Sequence, residues 1–371
     1  MKTLKHGIVW GLVLTGCTLA TGAPDPSPTP LVPPPTSATD SAPSVTPISS
    51  PAPATPLPGV VASPAATAPP TPTPVQVANA LPIPDSLARV EPDRLIVSVN
   101  QLANLTNRHA LGSSGRTARD SLFAAFQAIQ QPGMEVFLHP FTFTDQTVTG
   151  HNVVLVFRGS DPAAGAVIVG AHYDTRSGDP AAADTVQPGA DDNASGVAAV
   201  LEIARLMAGR SPRATVICVL FGAEEQGRFG SQAFVRDVIQ AQGITVQAML
   251  NLDIVGSPTG PDGQPQQRMR VYSAPPDDSP SRRLARQIAQ IAADHVPGLA
   301  IDVRDTLDRP GRWGDHQSFS DAGYAAARLI EAADDPQRTH NADDRPDHLD
   351  AAYLRRVTQV ALATALALVE S

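Results

Sequence analysis

The hydrophobic pattern divides the chain into two unlike parts. From about Thr18 to Ala80 no periodic pattern is visible, and the residues are almost all Pro, Ala, Thr, Ser and Val. From about Leu81 to the C-terminus, short apolar runs alternate with stretches of helical spacing. Strands are predicted at Glu135–Thr144, Asn152–Phe157, Ala166–Ala171, Ala214–Gly222, Val246–Leu252, Arg268–Ser273 and Ala325–Ile330. Helices are predicted at Thr117–Ile129, Ser195–Met207, Gly230–Gln240, Ser281–Asp294 and Asp350–Val369. This order points to an α/β fold. The expected form is a three-layer sandwich with a mixed, largely parallel central sheet and helices on both faces.

Composition sharpens the division. Of 371 residues 37 are prolines, and they crowd the first part. A segment of that kind buries too little apolar surface to offset its ordering entropy, so residues 18–80 read as a disordered tether. Residues 81–371 read as one folded domain. Ahead of the tether, Lys2 and Lys5 precede the apolar stretch Ile8–Leu14, which is too short to span a bilayer. The stretch ends in Leu14-Thr15-Gly16-Cys17, which resembles the lipobox of bacterial lipoproteins. That resemblance implies a signal peptide over 1–17, export, and anchoring to a membrane through an acylated Cys17. The net charge of −9 and the lack of a basic stripe give no footprint for nucleic acid. With only Cys17 and Cys218, disulfides do not organise the fold, and Cys218 reads as a small apolar residue in a buried strand.

Candidate chemistry falls just after the predicted strands, where open α/β sheets place their ligand sites. His172 and Asp174 follow the first such run, as a neutral imidazole with a carboxylate able to orient it. Asp191 and Asp192 lie in Pro188-Gly-Ala-Asp-Asp-Asn-Ala-Ser-Gly196, between glycines that permit tight backbone. A helix cap needs only one of these acids, which leaves the other free for a cation. Glu224 and Glu225 follow the buried strand that contains Cys218. On extended chain they point opposite ways, so one can hold a metal while the other serves as general base. Asp253, between Leu252 and Ile254, is costly to bury unless it is paired or binds a cation. His316 and His340 are further imidazoles in later loops. His109, His139, His151, His295 and His348 lack such company and read as surface or core residues.

Taken in order from about Asn100 onward, this set resembles the zinc-dependent exopeptidases of the aminopeptidase S and aminopeptidase Y type. The resemblance implies two Zn2+ per chain and peptide substrates. It implies that His172 and Asp253 serve one ion, that Glu225 and His340 serve the other, and that Asp192 bridges them. Asp174 becomes the partner of His172, Glu224 the general base, and His316 part of the pocket wall. Arg312 and Trp313 are expected to line the cleft. A tyrosine that some relatives carry just before the last histidine is Thr339 here, which leaves Tyr173 and Tyr324 as candidates for the oxyanion donor. Two alternatives share the pattern: a single-zinc enzyme like the glutaminyl cyclases, and a non-catalytic binding module on a peptidase fold.

Overall fold

A computed structural model describes residues 82–370, apart from 144–146 and 180–181. The predicted signal peptide, Cys17 and the tether lie outside the described residues. The chain separates into Met1–Thr71 and Pro72–Ser371, and the fold below belongs to the second unit.

Eight strands form one sheet: β1 (Met134–Phe143), β2 (Val148–Phe157), β3 (Ala166–His172), β4 (Thr215–Phe221), β5 (Val246–Leu252), β6 (Arg268–Ser273), β7 (Ala300–Val303) and β8 (Ala326–Glu331). Their order is β1-β2-β4-β3-β5-β8-β6-β7. The four central strands β4, β3, β5 and β8 run parallel, as do β6 and β7. The remaining pairings are antiparallel, so the sheet is mixed as expected.

The helices are α1 (Ile83–Ala88), α2 (Pro92–Ala103), α3 (Ser113–Ile129), α4 (Gly196–Met207), α5 (Phe229–Phe234), α6 (Pro280–His295), α7 (His316–Asp321) and α8 (Ala351–Val369). The two-residue period of the strands sorts them into layers. Val153, Leu155, Val167, Val169, Cys218 and Leu250 face the larger core with α2, α3, α4, α6 and α8. Val154, Val156, Ile168, Ile217, Val219 and Met249 face a second core with Phe234 of α5 and Phe319 of α7. Helix α8 is long and apolar enough to cross a membrane, but 72% of its 18-residue apolar window is buried in the protein, and it serves as the central core helix of its layer.

Four elements went unpredicted: α1, α2, α7 and β7. Helices α1 and α7 and strand β7 are short. Helix α2 has the run Leu95-Ile-Val near its start, with Ser98, Asn100 and Gln101 scattered among its later apolar positions, so its helical face does not stand out. Helix α2 nevertheless buries Leu95, Val99 and Leu102 on one face.

From β3 the chain crosses by α4 to β4 on one side, then returns by α5 to β5 on the other. The crossovers use opposite faces of the sheet. Such a reversal opens a crevice at the carboxyl ends of the strands. Neighbouring strands lie about 4.8 Å apart, so residues just past β3, β4, β5 and β8 are brought within reach of one another.

Candidate metal centre

The crevice collects the expected residues. His172 closes β3, Glu224 and Glu225 follow β4, and Asp253 follows β5. His340 lies in the loop after β8, and Asp192 sits in a wide turn, Ala190–Ser195, leading into α4. Ligand atoms of His172, Asp192 and Asp253 lie within 4.8 Å of one another, as do those of Asp192, Glu225 and His340. A third group, His172 with Glu224 and Glu225, meets the same distance. His172 Nε2 is 3.2 Å from Asp192 Oδ1 and 3.4 Å from Asp253 Oδ1. His340 Nε2 is 3.3 Å from Asp192 Oδ2 and 3.2 Å from Glu225 Oε1. The two oxygens of Asp192 thus face different histidines.

This donor set fits divalent cations. Each trio offers one imidazole nitrogen and two carboxylate oxygens, a mixture that suits zinc better than magnesium or calcium. Glu225 Oε1 is buried and accepts no hydrogen bond, although His340 is close, so an oxygen is left for a ligand.

Burial and neighbouring charges act together on the ionisable groups of this cluster. Burial disfavours charge on the imidazoles, but Asp253 and Glu224 around His172 overcome it and raise that ring well above its ordinary range. His340, less buried, is raised to about 9 by Asp192 and Glu225. Burial also opposes the charge of Asp192, yet the two histidines hold it well below the usual carboxylate range. Glu224 is pushed well above that range by burial, against the pull of His172 and with help from Glu225 and Asp315.

The backbone at the site departs from ordinary conformations. Ala223, Ile254 and His340 all have positive φ, at 55°, 62° and 62°. For a β-branched residue such as Ile254 this is a clear outlier, and conformations of this kind collect where a site over-determines its backbone. Ala223 also changes the reason for the division between Glu224 and Glu225: a turn separates them, where extended chain was expected. That turn is held by Asp174, whose two oxygens accept the N–H groups of Glu224 and Glu225, both at 3.1 Å. The Asp174 carboxylate is 3.7 Å from His172 Nδ1, and the nearer partner of that nitrogen is the Asp174 carbonyl at 3.2 Å. Asp174 therefore orients the glutamate turn at least as much as the imidazole.

Several supporting residues escaped sequence reasoning. The buried Arg108 guanidinium donates to the carbonyls of Tyr173, Pro188 and Gly189 and so ties the His172 loop to the Asp192 turn. A Cβ at Gly189 would meet Asp192 O at 2.6 Å and Arg108 Nη2 at 2.7 Å, so only glycine fits there. Asp344 accepts the N–H groups of Asp191 and Asp192 at 2.7 and 2.9 Å. Asn193 joins the same turn to the end of β5, donating to Leu252 O and accepting from Gly196 N–H. Each terminal carboxylate has one oxygen held by an arginine: Arg328 is 3.1 Å from Asp253 Oδ2, and Arg176 is 2.9 Å from Glu225 Oε2.

Other expectations need correction. His316 is fully buried behind the cleft, outside its wall, and donates from Nε2 to Leu307 O. Burial lowers its pKa to about 4, so the ring is neutral. Neither tyrosine reaches the cleft as an oxyanion donor: Tyr173 donates to His151 O, and Tyr324 packs against the second core. Arg312, Trp313 and Thr339 do line the cleft. Cys218 is an inert core thiol, pushed up to about 12 by burial.

The chain is similar to known proteins in sequence and in fold. The chain is 36% identical over 248 residues to a probable zinc metalloprotease of Leptosphaeria maculans, covering 59% of this chain and 57% of that one. It is 31% identical over 350 residues to a probable zinc metalloprotease of Pyricularia oryzae, covering 81% and 70%. It thus spans little more than half the length of the first relative. Among solved structures, the LapA aminopeptidase of Legionella pneumophila superposes with a TM-score of 0.66 at 23% identity, over 78% of this chain and 75% of that one. A glutaminyl cyclase of Porphyromonas gingivalis superposes at 0.60 and 21% identity, over 74% and 97%. At such identities these two likenesses establish the fold alone. The model of peptidase family M28 matches residues 152–365, more than half the chain, and the protein belongs to that family.

Proposed function

We propose that this protein is a di-zinc exopeptidase of the aminopeptidase type, acting on terminal peptide bonds. The observation that carries the reading is the pair of three-residue donor sets sharing Asp192. His172, Asp192 and Asp253 would hold one zinc ion, and Asp192, Glu225 and His340 the other. A zinc pair held there supplies Lewis acidity, activating water and offsetting the charge that develops on the carbonyl oxygen.

The protein's own groups do the rest. Glu224, buried in the same cluster, takes the proton from the attacking water and delivers it to the leaving amine. Asp174 fixes the turn that aims Glu224 and Glu225 in their separate roles. Arg328 and Arg176 hold the outer oxygens of Asp253 and Glu225, so that each presents one oxygen inward.

Metal analysis of purified protein, together with hydrolysis of aminoacyl chromogenic amides, tests the reading. Two zinc ions per chain and turnover are expected. Full activity with one ion would favour cyclase-like chemistry, and loaded protein without turnover would favour a binding module.

We also propose that residues 1–17 direct export and that Cys17 anchors the enzyme to a membrane, with 18–80 as a tether. The Leu-Thr-Gly-Cys motif supports this. Cys17→Ala should move the protein from the membrane fraction to the soluble one.

A further inference from the structure

We propose that the cleft takes substrates bearing a carboxylate beside the scissile bond, and that Arg312 is the residue that pairs with it. This rests on the peptidase reading and specifies its substrate class. Four arginines line the cleft, namely Arg176, Arg309, Arg312 and Arg328, and no lysine does. Three of them are committed to protein carboxylates. Arg328 meets Asp253 and Asp308, Arg309 meets Asp308 and Asp334, and Arg176 meets Glu225. Arg312 meets no carboxylate among the described residues.

Its position is built. The Arg312 N–H donates to Arg309 O at 3.1 Å, closing a turn through Gly311 at φ 69°. This sets the half-buried Arg312 beside Trp313, which is 45% exposed. A partly desolvated guanidinium without a counter-charge gains from a ligand that restores one, and its planar fork matches a carboxylate. The acids of the cleft, Asp192, Glu224, Glu225 and Asp253, all belong to the metal cluster. A substrate ammonium therefore finds its partners only at the cluster, whereas a substrate carboxylate finds its partner in the 309–313 loop. The carboxylate can be the side chain of an acidic residue or the C-terminus of a short peptide.

The test uses full-length zinc-loaded protein and matched peptides. One pair carries glutamate or glutamine next to the scissile bond, and the other has a free or an amidated C-terminus. The pair that shows the preference identifies the source of the carboxylate. Wild-type kcat/KM should favour the carboxylate member of one pair by about tenfold or more, mainly through KM. Arg312→Ala should bring that ratio near one, Arg312→Lys should restore part of it, and Arg312→Glu should turn the preference toward a lysine peptide. Thermal melts establish that each variant is folded. No preference in the wild type, or a preference that survives Arg312→Ala, overturns the proposal. If loaded protein hydrolyses none of these peptides, the peptidase reading fails. Calorimetry with glutarate and glutaramide then decides the carboxylate site separately. Binding of glutarate alone, lost in Arg312→Ala, upholds the site, and equal binding or none overturns it.

Discussion

The two donor sets share Asp192 but are built in different ways. His172 and Asp253 stand at the ends of neighbouring parallel strands, with side chains only 1% and 3% exposed. Glu225 and His340 come from loops, and His340 is 14% exposed with its backbone at φ 62°. The hydrogen-bonded ladder of the sheet fixes the first set. The second depends on two loops being held in place, by Asp174 under Glu225 and by the Asp344 contacts near His340. A prebuilt set binds its ion without ordering cost, whereas an assembled set must order its loop first. The ion at the His172 set should therefore be the tighter one.

The largest expected effects fall on what the sets share. Asp192→Ala removes a ligand from both, and zinc content should fall from two ions toward none, with activity lost. Glu224→Gln should separate chemistry from binding. It should lower kcat by about 10²–10⁴-fold while metal content stays at two. Activity that survives Glu224→Gln would remove Glu224 from the mechanism.

Removal of one histidine probes the asymmetry directly. Competition with a chelator should resolve two affinities in the wild type. His340→Ala should abolish the weaker and keep the tighter, and His172→Ala should do the reverse. If His340→Ala strips the tighter ion, the sheet-built set has no advantage and the comparison fails. A smaller effect follows from Asp344, whose loop holds the shared turn. Asp344→Ala should weaken both ions by about 10–100-fold, the usual cost of losing a residue that orients a ligand.

The same asymmetry decided what could be read in the sequence. The central strands are buried on both faces, so they appear as continuous apolar runs, and an acid or histidine at the end of such a run is conspicuous. His172, Asp253 and the Glu224-Glu225 pair stood out for this reason. Arg108, Arg328 and Asp344 did not, because their importance comes from partners far away in the chain. Arg108 reaches Gly189, and Asp344 reaches Asp191. Arg328 did leave a signal: a charge inside the apolar run Ala325–Ile330 must be paired if that run is a buried strand. Tyr173 and Tyr324 failed as oxyanion donors because closeness along the chain does not say which face of the sheet a side chain joins. The glutamate turn was misjudged because the positive φ of Ala223 has no mark in an alanine.

The weakest expected effect concerns the support of the prebuilt set. Arg328 Nη1 is 2.9 Å from Asp308 while Nη2 holds Asp253, so Asp308 steadies the guanidinium that steadies the ligand. Burial disfavours the Asp308 carboxylate, but Arg328, His316 (protonated in the acid range where Asp308 titrates) and the Arg309 N–H outweigh this and lower its pKa to about 2. A folded-state pKa below the unfolded value of about 3.9 stabilises the protein at higher pH, here by roughly 2 kcal/mol. That stability is fully present above about pH 4 and is lost as pH falls through about 2. Denaturant unfolding in chelator, which removes any contribution from metal release, should show Asp308→Asn less stable than wild type at pH 5. The gap should narrow toward pH 2. A gap that stays constant with pH would mean that packing, and not the ion pair with Arg328, is what Asp308 contributes. At neutral pH the same variant should weaken the tighter zinc ion by less than about tenfold and spare the other, because only Asp253 depends on Arg328.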